Sequence, residues 1–596
     1  MYKKIKSSQK YFFILVMFII MSTPNILQAK TYYIRPDGGT ANQCTGLVDA
    51  PYPGSGSNKP CAWKHIFEAL PPKYYKAQPR ITGGDTIIIK KGTYIMGRHK
   101  GYEGAGCEAT NSYACFPKPL PSGPDPQHPT RILGEGWNNG CNNPPKLIGV
   151  GKTFNILNLT NTSNAVIQCL EITDGATCGD NYKGSQSNLK CGKKPDGSYM
   201  DWAQRGIYSG TASKPYNNSK NVLLKNLYIH GLGGEAINAA HLTDWTIEDT
   251  RLIANARAAF NGDVPPAKGD NDEFYGTIAF KNVEIGWTGC IEDKDTGKIV
   301  KCYDQQKGGY GDAIGTGPSG NAAWIFDNVY IHHNTSDGID LLYFSWASNP
   351  QVKIINSRIE GNAGNGIKVA GAALIMNNEI IGNCDYWHDK PFNDHIIRCR
   401  GGGAALAVDL SHDAKTYVVN NTFLGEAPAI ISIAGAKTYV PGQAHIYFFN
   451  NLLVGLARYN NPSERADWMY AYDFNIQSDL SNAYWAIYHS SRTDRYNLPN
   501  TEGTTLNVDP LLVKIDSISD QYDLRIRSQD SPIIGKGMKA GTFLGLWGKF
   551  NEKVNIPSID KEGILRTGKT CYGAHELSGA SKNQKPEIEL KTIKLN

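Results

Sequence analysis

Short runs of apolar residues, separated by polar residues, glycine and asparagine, dominate the centre of the chain. Two examples are VLLKNLYI at 222–229 and WIFDNVYI at 324–331, in which apolar and polar side chains alternate over part of the segment. A period of two is typical of a β-strand with one buried face, whereas a helix repeats every 3.6 residues. The pattern therefore predicts an all-β protein built from many short strands.

These strands recur with a polar residue at a fixed place, in the pattern Asn-x-x-apolar. The aligned positions are Cys169, Asn226, Asp249, Asn282, Asn328, Asn356, Asn377, Asn420 and Asn450. Several of the gaps between them are about 21 to 30 residues long, which is the period of a solenoid. Stacked strands place equivalent residues in ladders, so we predict an internal asparagine ladder that satisfies backbone groups at the turns.

A second repeated column contains the segments RGIYSG, EAINAA, DAIGTG, DGIDLL and NGIKVA. Side chains alternate between the faces of a strand, so the isoleucine of each segment should face the core and the next residue should face outward. The predicted outward residues are Tyr208, Asn238, Gly315, Asp340 and Lys368. Asp340 and Lys368 are one repeat apart and are therefore expected to be neighbours.

Two further acidic residues occupy equivalent places in this column. Asp312 and Asp337 each lie three residues before an outward position, where strict alternation would turn them inward. Ala313 and Gly338 follow them, which suggests that both acids lie in the turn entering the strand and point outward. Together with Asp340, they would form a cluster of three carboxylates. Hard oxygen ligands at this density suit Ca²⁺, although a single Asp in such a turn more often caps backbone N–H groups.

The two ends of the chain differ from its centre. Residues 1–29 combine four lysines, a short apolar run and a small residue at Ala29, so we predict a secretory signal peptide. Its removal lowers the formal charge from +6 to about +2, which gives no electrostatic basis for binding nucleic acid. No second apolar stretch is long enough to span a bilayer, so no membrane partner is expected after cleavage. Residues 580–596 are predicted to be a disordered tail.

The chain contains thirteen cysteines, which in an exported protein indicates disulfides. Proximity in sequence suggests the pairs Cys44/Cys61, Cys107/Cys115, Cys178/Cys191, Cys290/Cys302 and Cys384/Cys399. No CxxC motif is present, so clusters of cysteines bound to a metal are not expected.

Residues 31–579 resemble secreted right-handed parallel β-helix proteins of the pectate-lyase superfamily. The resemblance rests on TYYIRPDGG, a short helix around CAWKHIFEAL and GGDTIIIKKGTY near the start, and on GILRTGKTCYGAHEL near the end. It implies a right-handed single-stranded parallel β-helix, a solenoid with an N-terminal cap and a small C-terminal cap. The implied divisions are residues 30–160 for the cap and first coils, 161–460 for the core, and 461–579 for the last coils and C-terminal cap.

The local resemblance is to family-nine polysaccharide lyases, through NTSDGIDLLY and GNGIKVAG. It implies that Asp312, Asp337 and Asp340 bind Ca²⁺ and that Lys368 is the catalytic base. The chain departs from that family at two positions. Ser336 stands where another Asp is usual, and Ile367 replaces an aromatic residue.

Other residues complete the predicted site. Arg398 and Arg400 lie about one coil beyond Lys368 and are candidates to clamp a substrate carboxylate, although both could equally be ordinary surface residues. Tyr343, Phe344 and Trp346 follow the Asp340 strand and are candidates to stack on sugar rings or to pack under a loop.

The sequence favours a secreted, calcium-dependent lyase that cleaves a uronic-acid polysaccharide by β-elimination. Its expected partner is an acidic polysaccharide, and we expect a monomer at the cell surface, in the periplasm or outside the cell. Two alternatives stay open. One is a β-helix glycoside hydrolase with Asp312 and Asp337 as an acid/base pair, and the other is a β-helix protein that binds glycans without catalysis.

Overall fold

The computed structural model describes most of the chain. The described residues are 29–103, 107–176, 202–210, 218–262, 274–303, 311–315, 321–342, 351–439, 443–459, 461–465, 470–471, 476–486, 505–506, 508–517 and 519–577. The predicted signal peptide, except for Ala29, lies outside the described residues, as do the predicted tail and the segment with Tyr343, Phe344 and Trp346.

The described chain winds into a parallel β-helix, which confirms the predicted fold class. One coil consists of three strands, for example Leu242–Glu248, Arg251–Ile253 and Ala258–Gly262. The first two of these pair in parallel with Phe274–Lys281 and Glu284–Gly286, which are the matching strands of the next coil. The third pairs with Ile314–Gly315. Each coil therefore adds two strands to one sheet and one strand to another.

The larger sheet takes two strands from each coil. Within the described residues, its 22 strands are Thr31–Gly39, Thr86–Ile89, Thr93–Met96, Thr130–Gly134, Lys146–Gly149, Ala165–Asp174, Ser219–His230, Leu242–Glu248, Arg251–Ile253, Phe274–Lys281, Glu284–Gly286, Asn321–Asp327, Tyr330–His332, Gln351–Ile355, Arg358–Glu360, Ala372–Met376, Glu379–Gly382, Lys415–Val419, Thr422–Gly425, His445–Gly455, Ile476–Ala486 and Thr505–Leu506.

The other long sheet takes one strand from each coil, and we call it the site sheet. Its ten strands within the described residues are Thr153–Asn158, Ala203–Ser209, Glu235–Ala239, Ala258–Gly262, Ile314–Gly315, Ile339–Leu341, Ile367–Ala370, Leu406–His412, Ile431–Tyr439 and Tyr470–Ala471. Ile207, Ile237, Ile314, Ile339 and Ile367 are all fully buried. The predicted inward column is therefore confirmed.

Smaller elements decorate the coils. One α-helix, Ile66–Ala69, lies in the predicted N-terminal cap with all four residues buried, and the ring of His65 accepts a hydrogen bond at its start. Short 3-10 segments span Ala109–Ala114, Cys384–Trp387 and Arg400–Gly402. The remaining strands are Cys290–Glu292, Ile299–Tyr303, Asn393–Asp394, Ala457–Arg458, Asn461–Arg465, Leu512–Asp516, Gln521–Ile526, Phe543–Trp547 and Glu552–Asn555.

The C-terminal segment packs along the side of the coils. Leu512–Asp516 pairs antiparallel with Gln521–Ile526, and Phe543–Trp547 pairs antiparallel with Glu552–Asn555. Trp547 packs against Tyr417 and Phe449 of the larger sheet. These strands form antiparallel hairpins within residues 461–579, the segment that the resemblance assigned to the last coils and the C-terminal cap.

The repeated asparagine position supplies turn conformations and also forms a ladder of its own, as in the 2.9 Å bond from Asn328 Nδ2 to Asn282 Oδ1. Asn226, Asn282 and Asn450 have positive φ angles of 51°, 54° and 57°, a left-handed conformation that asparagine tolerates better than most residues. A fully buried ladder lies one residue later, at Asn378, Asn421, Asn451 and Asn482. Its amides bond from coil to coil, as in the 3.0 Å bond from Asn421 Nδ2 to Asn451 Oδ1.

Five disulfides join described cysteines. Four confirm the pairs predicted from proximity: Cys44–Cys61, Cys107–Cys115, Cys290–Cys302 and Cys384–Cys399. The fifth joins Cys141 to Cys169, which had been aligned only with the asparagine column. The suggested pair Cys178/Cys191 lies outside the described residues. Disulfides of this number are typical of proteins that fold in an oxidising compartment.

Among the described residues, no helix combines the length and apolar character needed to span a membrane.

Candidate functional site

The site sheet carries the candidate residues on its outer face. Its register pairs Gly315 with Asp340, and Asp340 with Lys368, on adjacent strands. Ile314, Ile339 and Ile367 point into the core, so the residue after each of them points outward. The predicted neighbours Asp340 and Lys368 therefore lie side by side.

The outward ladder extends in both directions from this pair. Its members are Tyr208, Asn238, Asn261, Gly315, Asp340, Lys368, Ala407 and Ser432. Sequence analysis missed Asn261 because its strand, AAFNG, has phenylalanine where the other segments have isoleucine. Phe260 is fully buried and fills the same core position.

Two carboxylates contact one ammonium group, and a third carboxylate lies beside them. Lys368 Nζ lies 2.7 Å from Asp340 Oδ2 and 3.0 Å from Asp337 Oδ2. Asp312 Oδ1 accepts the backbone N–H of Asp337 at 3.0 Å. A methyl group added at Gly315 would lie 3.5 Å from Asp312 Oδ2, an ordinary van der Waals contact, so the Asp312 carboxylate does not require glycine at this position. Asp312 and Asp337 are thus brought to the cluster, although both residues are buried.

The charges in this cluster influence one another strongly. Burial, together with the nearby charges of Asp337 and Asp340, raises the pKa of Asp312 to about 8. Burial by itself would lower the pKa of Lys368, but Asp337 and Asp340 outweigh it and raise that pKa above its usual value. In this arrangement Lys368 is held as an ammonium ion.

Asn365 fixes the orientation of Asp337. Its backbone N–H donates to Asp337 Oδ1 at 2.7 Å, and its side-chain amide donates to the same oxygen at 3.1 Å. Its own Oδ1 accepts the backbone N–H of Ala404 at 2.9 Å. Sequence analysis assigned Asn365 no role, although it belongs to the GNGIKVAG segment that contains Lys368.

A second missed residue is Asp409, on the strand that follows Lys368. Lys368 pairs with Ala407, and Ala370 pairs with Asp409, so Asp409 lies one strand over and two residues along. Burial raises the pKa of its carboxyl group, while the charge of Lys368 opposes this increase. No repeated motif marks Asp409, which explains why the sequence pattern did not reveal it.

The two candidate arginines are held in different places. Arg400 Nη1 donates to Ser336 Oγ at 3.2 Å, next to Asp337. The Arg398 guanidinium instead forms an ion pair with Asp385. Arg398 lies within the segment closed by the Cys384–Cys399 disulfide, and Arg400 follows that segment directly. The structure therefore brings Arg400 to the cluster and holds Arg398 against Asp385.

The donor set of the cluster fits a hard divalent cation. Asp312, Asp337 and Asp340 supply oxygen ligands, and Lys368 balances only part of their charge. Because the lysine ammonium already contacts Asp337 and Asp340, a cation bound there would take over those contacts. Another group of potential ligands, Cys384, Cys399 and Glu426, does not fit a metal because the two cysteines form a disulfide.

Comparison with known proteins gave matches only among solved structures. No protein-family model matches the sequence, and no curated protein matches it either. The pectate lyase Pel9A is 15% identical, with 92% of this chain and 96% of that chain covered and a TM-score of 0.36. XylC in complex with xylose is 10% identical, with coverage of 93% and 99% and a TM-score of 0.44.

The A-module of the mannuronan C-5 epimerase AlgE6 from Azotobacter vinelandii is 13% identical. It covers 71% of this chain and 91% of its own length, with a TM-score of 0.28. Likenesses at this level say nothing about the reaction or the substrate of this chain.

Proposed function

We propose that the protein is a calcium-dependent polysaccharide lyase that cleaves a uronic-acid polysaccharide by β-elimination. The observation that supports this most is the contact of Lys368 Nζ with Asp337 and Asp340, beside Asp312, on the outer face of the site sheet. Carboxylates that can hold a cation, next to a potential base, are the groups that this reaction needs.

In the proposed reaction, Lys368 accepts the proton from C5 of the uronate. The electron pair of the C5–H bond forms a C4–C5 double bond, and the C4–O4 bond breaks. The departing oxygen takes a proton from water and becomes a hydroxyl at the end of one product chain, and Lys368 returns the C5 proton to the resulting hydroxide. The other product carries the unsaturated uronate, so atoms and charges balance without a redox partner.

Asp312, Asp337 and Asp340 are the residues that would hold Ca²⁺. The bound ion would neutralise the substrate carboxylate and favour the charge that develops at C5. Before it can act as a base, Lys368 must be released from its ion pairs with Asp337 and Asp340. Its two ion pairs keep it protonated, so Lys368 can serve as a base only when Asp337 and Asp340 have another cationic partner.

Arg400 is the better candidate of the two arginines for the substrate carboxylate. It is half-buried and hydrogen-bonded to Ser336, within reach of the cluster, and a guanidinium can hold a carboxylate with two parallel bonds. Arg398 would first have to leave Asp385.

The ultraviolet absorbance of the products separates this proposal from the alternatives. Polygalacturonate, polymannuronate and polyguluronate would each be incubated with the protein, with Ca²⁺ or with a chelator. We expect one of them to yield an absorbing unsaturated product only when Ca²⁺ is present. Reducing ends without absorbance would indicate a hydrolase instead, and binding without any product would indicate a non-catalytic glycan-binding protein.

A further inference from the structure

The site sheet carries a second group of charged residues, Arg205, Glu235 and Arg257. It lies on the N-terminal side of the acidic cluster formed by Asp312, Asp337 and Asp340. Arg205 pairs in register with Glu235, and Glu235 pairs with Ala258 on the next strand. These positions lie three residues before Tyr208, Asn238 and Asn261, as Asp312 lies three residues before Gly315. The same ladder thus continues away from Lys368 with residues of different charge.

Two arginines share the single carboxylate of Glu235. Arg257 Nη1 lies 3.1 Å from Glu235 Oε1, and Arg205 Nε lies 3.4 Å from Glu235 Oε2. The Glu235 side chain is only 1% exposed. Glu235 therefore joins Arg205 and Arg257, and we call these three residues the triad.

Arg205 is the outer member of this triad, and Tyr208 lies beside it. The Arg205 guanidinium lies 5.4 Å from the centroid of the Tyr208 ring, and the Arg205 side chain is 20% exposed. Tyr208 is half-buried and belongs to the outward ladder. An aromatic ring beside a guanidinium offers a stacking surface for a sugar and donors for its carboxylate.

The charge changes sign along the outer face. The triad with its two arginines comes first, the acidic cluster of Asp312, Asp337 and Asp340 follows, and Lys368 lies beyond it, with Arg400 in a neighbouring 3-10 segment. Asn238 and Asn261 supply uncharged amides on the two strands between Tyr208 and Gly315. A polymer with repeated carboxylates could therefore meet a cationic group on both sides of the acidic cluster.

We propose that Tyr208 and Arg205 form a second binding subsite, which takes a uronate residue several sugars away from the one that reacts at Lys368. This inference rests on the proposed function, because it assumes that the acidic cluster holds the reacting sugar. Four strand spacings of about 4.8 Å place Tyr208 roughly 19 Å from Asp340 along the sheet. Only a long substrate can reach both places.

The test measures binding by calorimetry in the Lys368→Ala protein, a substitution chosen to stop turnover. The ligands are galacturonate and mannuronate oligomers that are three or eight residues long. Arg205→Ala and Tyr208→Ala, each added to Lys368→Ala, should weaken binding of the longer oligomer about tenfold. Binding of the shorter oligomer should stay unchanged. Tyr208→Ala leaves the charged triad intact, so it still tests the subsite if Arg205→Ala fails to fold.

Arg251 provides a matched control on the larger sheet. It pairs with Glu284 through Nε and lies 4.9 Å from the ring centroid of Tyr228, in an arrangement like that of Arg205. Arg251→Ala should leave binding of both oligomers unchanged. If it weakens binding as much as Arg205→Ala does, the subsite proposal is wrong.

The remaining outcomes of this test separate a failure of the subsite proposal from a failure of the proposed lyase function. Equal losses for the short and long oligomers, or no loss with either, would overturn the subsite even if the protein proves to be a lyase. Loss of binding to sulfated heparin oligomers, without loss for the uronate oligomers, would overturn the assignment to a carboxylate. Absence of turnover would overturn the lyase proposal and leave this binding result intact.

Discussion

At the scale of single residues, the candidate site depends on which cation holds each carboxylate. Lys368 contacts Asp337 and Asp340, and Arg400 contacts Ser336. Ser336 occupies the position where the family-nine lyases that the sequence resembles usually have another Asp. The positively charged side chain of Lys368 therefore already lies beside Asp337 and Asp340, and that of Arg400 lies beside Ser336. This explains why both the number of carboxylates and the position of Arg400 should control how tightly Ca²⁺ binds.

Ser336→Asp should tighten Ca²⁺ binding, because an added carboxylate increases the charge of the ligand set. Arg400 would compete for the new carboxylate, since it lies 3.2 Å from Ser336 Oγ. The gain should therefore be larger with Arg400→Gln also present, roughly tenfold relative to Arg400→Gln alone. Calorimetric titration of the four proteins with Ca²⁺ measures this.

Two results of that titration would contradict the account. If none of the four proteins binds Ca²⁺, the metal site does not exist. If Ser336→Asp leaves the affinity for Ca²⁺ unchanged, both with Arg400 present and with Arg400→Gln, residue 336 does not contribute to the site.

At the scale of strands and turns, two adjacent asparagine columns have different roles. The first is the repeated Asn-x-x-apolar position, and the second lies one residue later. Asn328 is exposed with a φ of 54°, while Asn421 is fully buried and bonds to neighbouring coils. Asn421 Oδ1 accepts from the backbone and side chain of Asn378, and Asn421 Nδ2 donates to the carbonyl of Ile375. The first column thus supplies a turn conformation and amide bonds between its own members, and the second satisfies buried backbone groups.

Substitution by glycine should separate these two roles. Glycine adopts positive φ readily, so Asn328→Gly should change the free energy of unfolding by less than about 0.5 kcal/mol. Asn421→Gly should cost about 2–4 kcal/mol, because it leaves buried donors and acceptors without partners. Thermal unfolding of both variants measures the difference, and equal shifts would contradict the assignment of two columns.

Local sequence patterns predicted the coils, the inward isoleucine column and the pairing of Asp340 with Lys368, because these follow from a repeat and a period of two. The same patterns did not reveal Asn261, Asn365 or Asp409. Asn261 follows a phenylalanine, and the roles of the other two depend on contacts between coils. Alignment on the Asn-x-x-apolar pattern also selected the column with positive φ angles and missed the fully buried column one residue later.

At the scale of the whole molecule, the C-terminal segment fastens itself to coils that lie far away in sequence. His575 Nε2 lies 2.8 Å from Glu379 Oε1, and Lys561 Nζ lies 3.6 Å from Glu379 Oε2. Arg358 also contacts this carboxylate at 3.1 Å. No local pattern predicts the contacts of His575 and Lys561, since almost two hundred residues separate each of them from Glu379 in the chain.

Acid should weaken this attachment. Burial by itself would raise the pKa of Glu379, but the hydrogen bond to His575 and the charges of Lys561 and Arg358 lower it far below its usual value. A lowered pKa means that its contribution to stability is complete above about pH 5 and is lost as the pH falls below about 4.

Glu379→Gln should therefore lower the melting temperature at neutral pH, by the equivalent of about 3 kcal/mol. The gap between the variant and the parent should shrink as the pH falls below about 4. Melting temperatures of both proteins across this range measure the effect. A gap that stays constant with pH would show that the ionised Glu379 does not hold the C-terminal segment.

The most direct test of the central claim measures turnover and Ca²⁺ binding in the same variant, Lys368→Ala. We expect turnover of the polyuronate to fall by about 10² to 10⁴, the usual effect of removing a general base, while calorimetry still shows Ca²⁺ binding. Asp340→Ala should lose both properties, because it removes a ligand of the ion. A Lys368→Ala protein that cleaves the polyuronate within about threefold of the parent rate would contradict the assignment of Lys368 as the base.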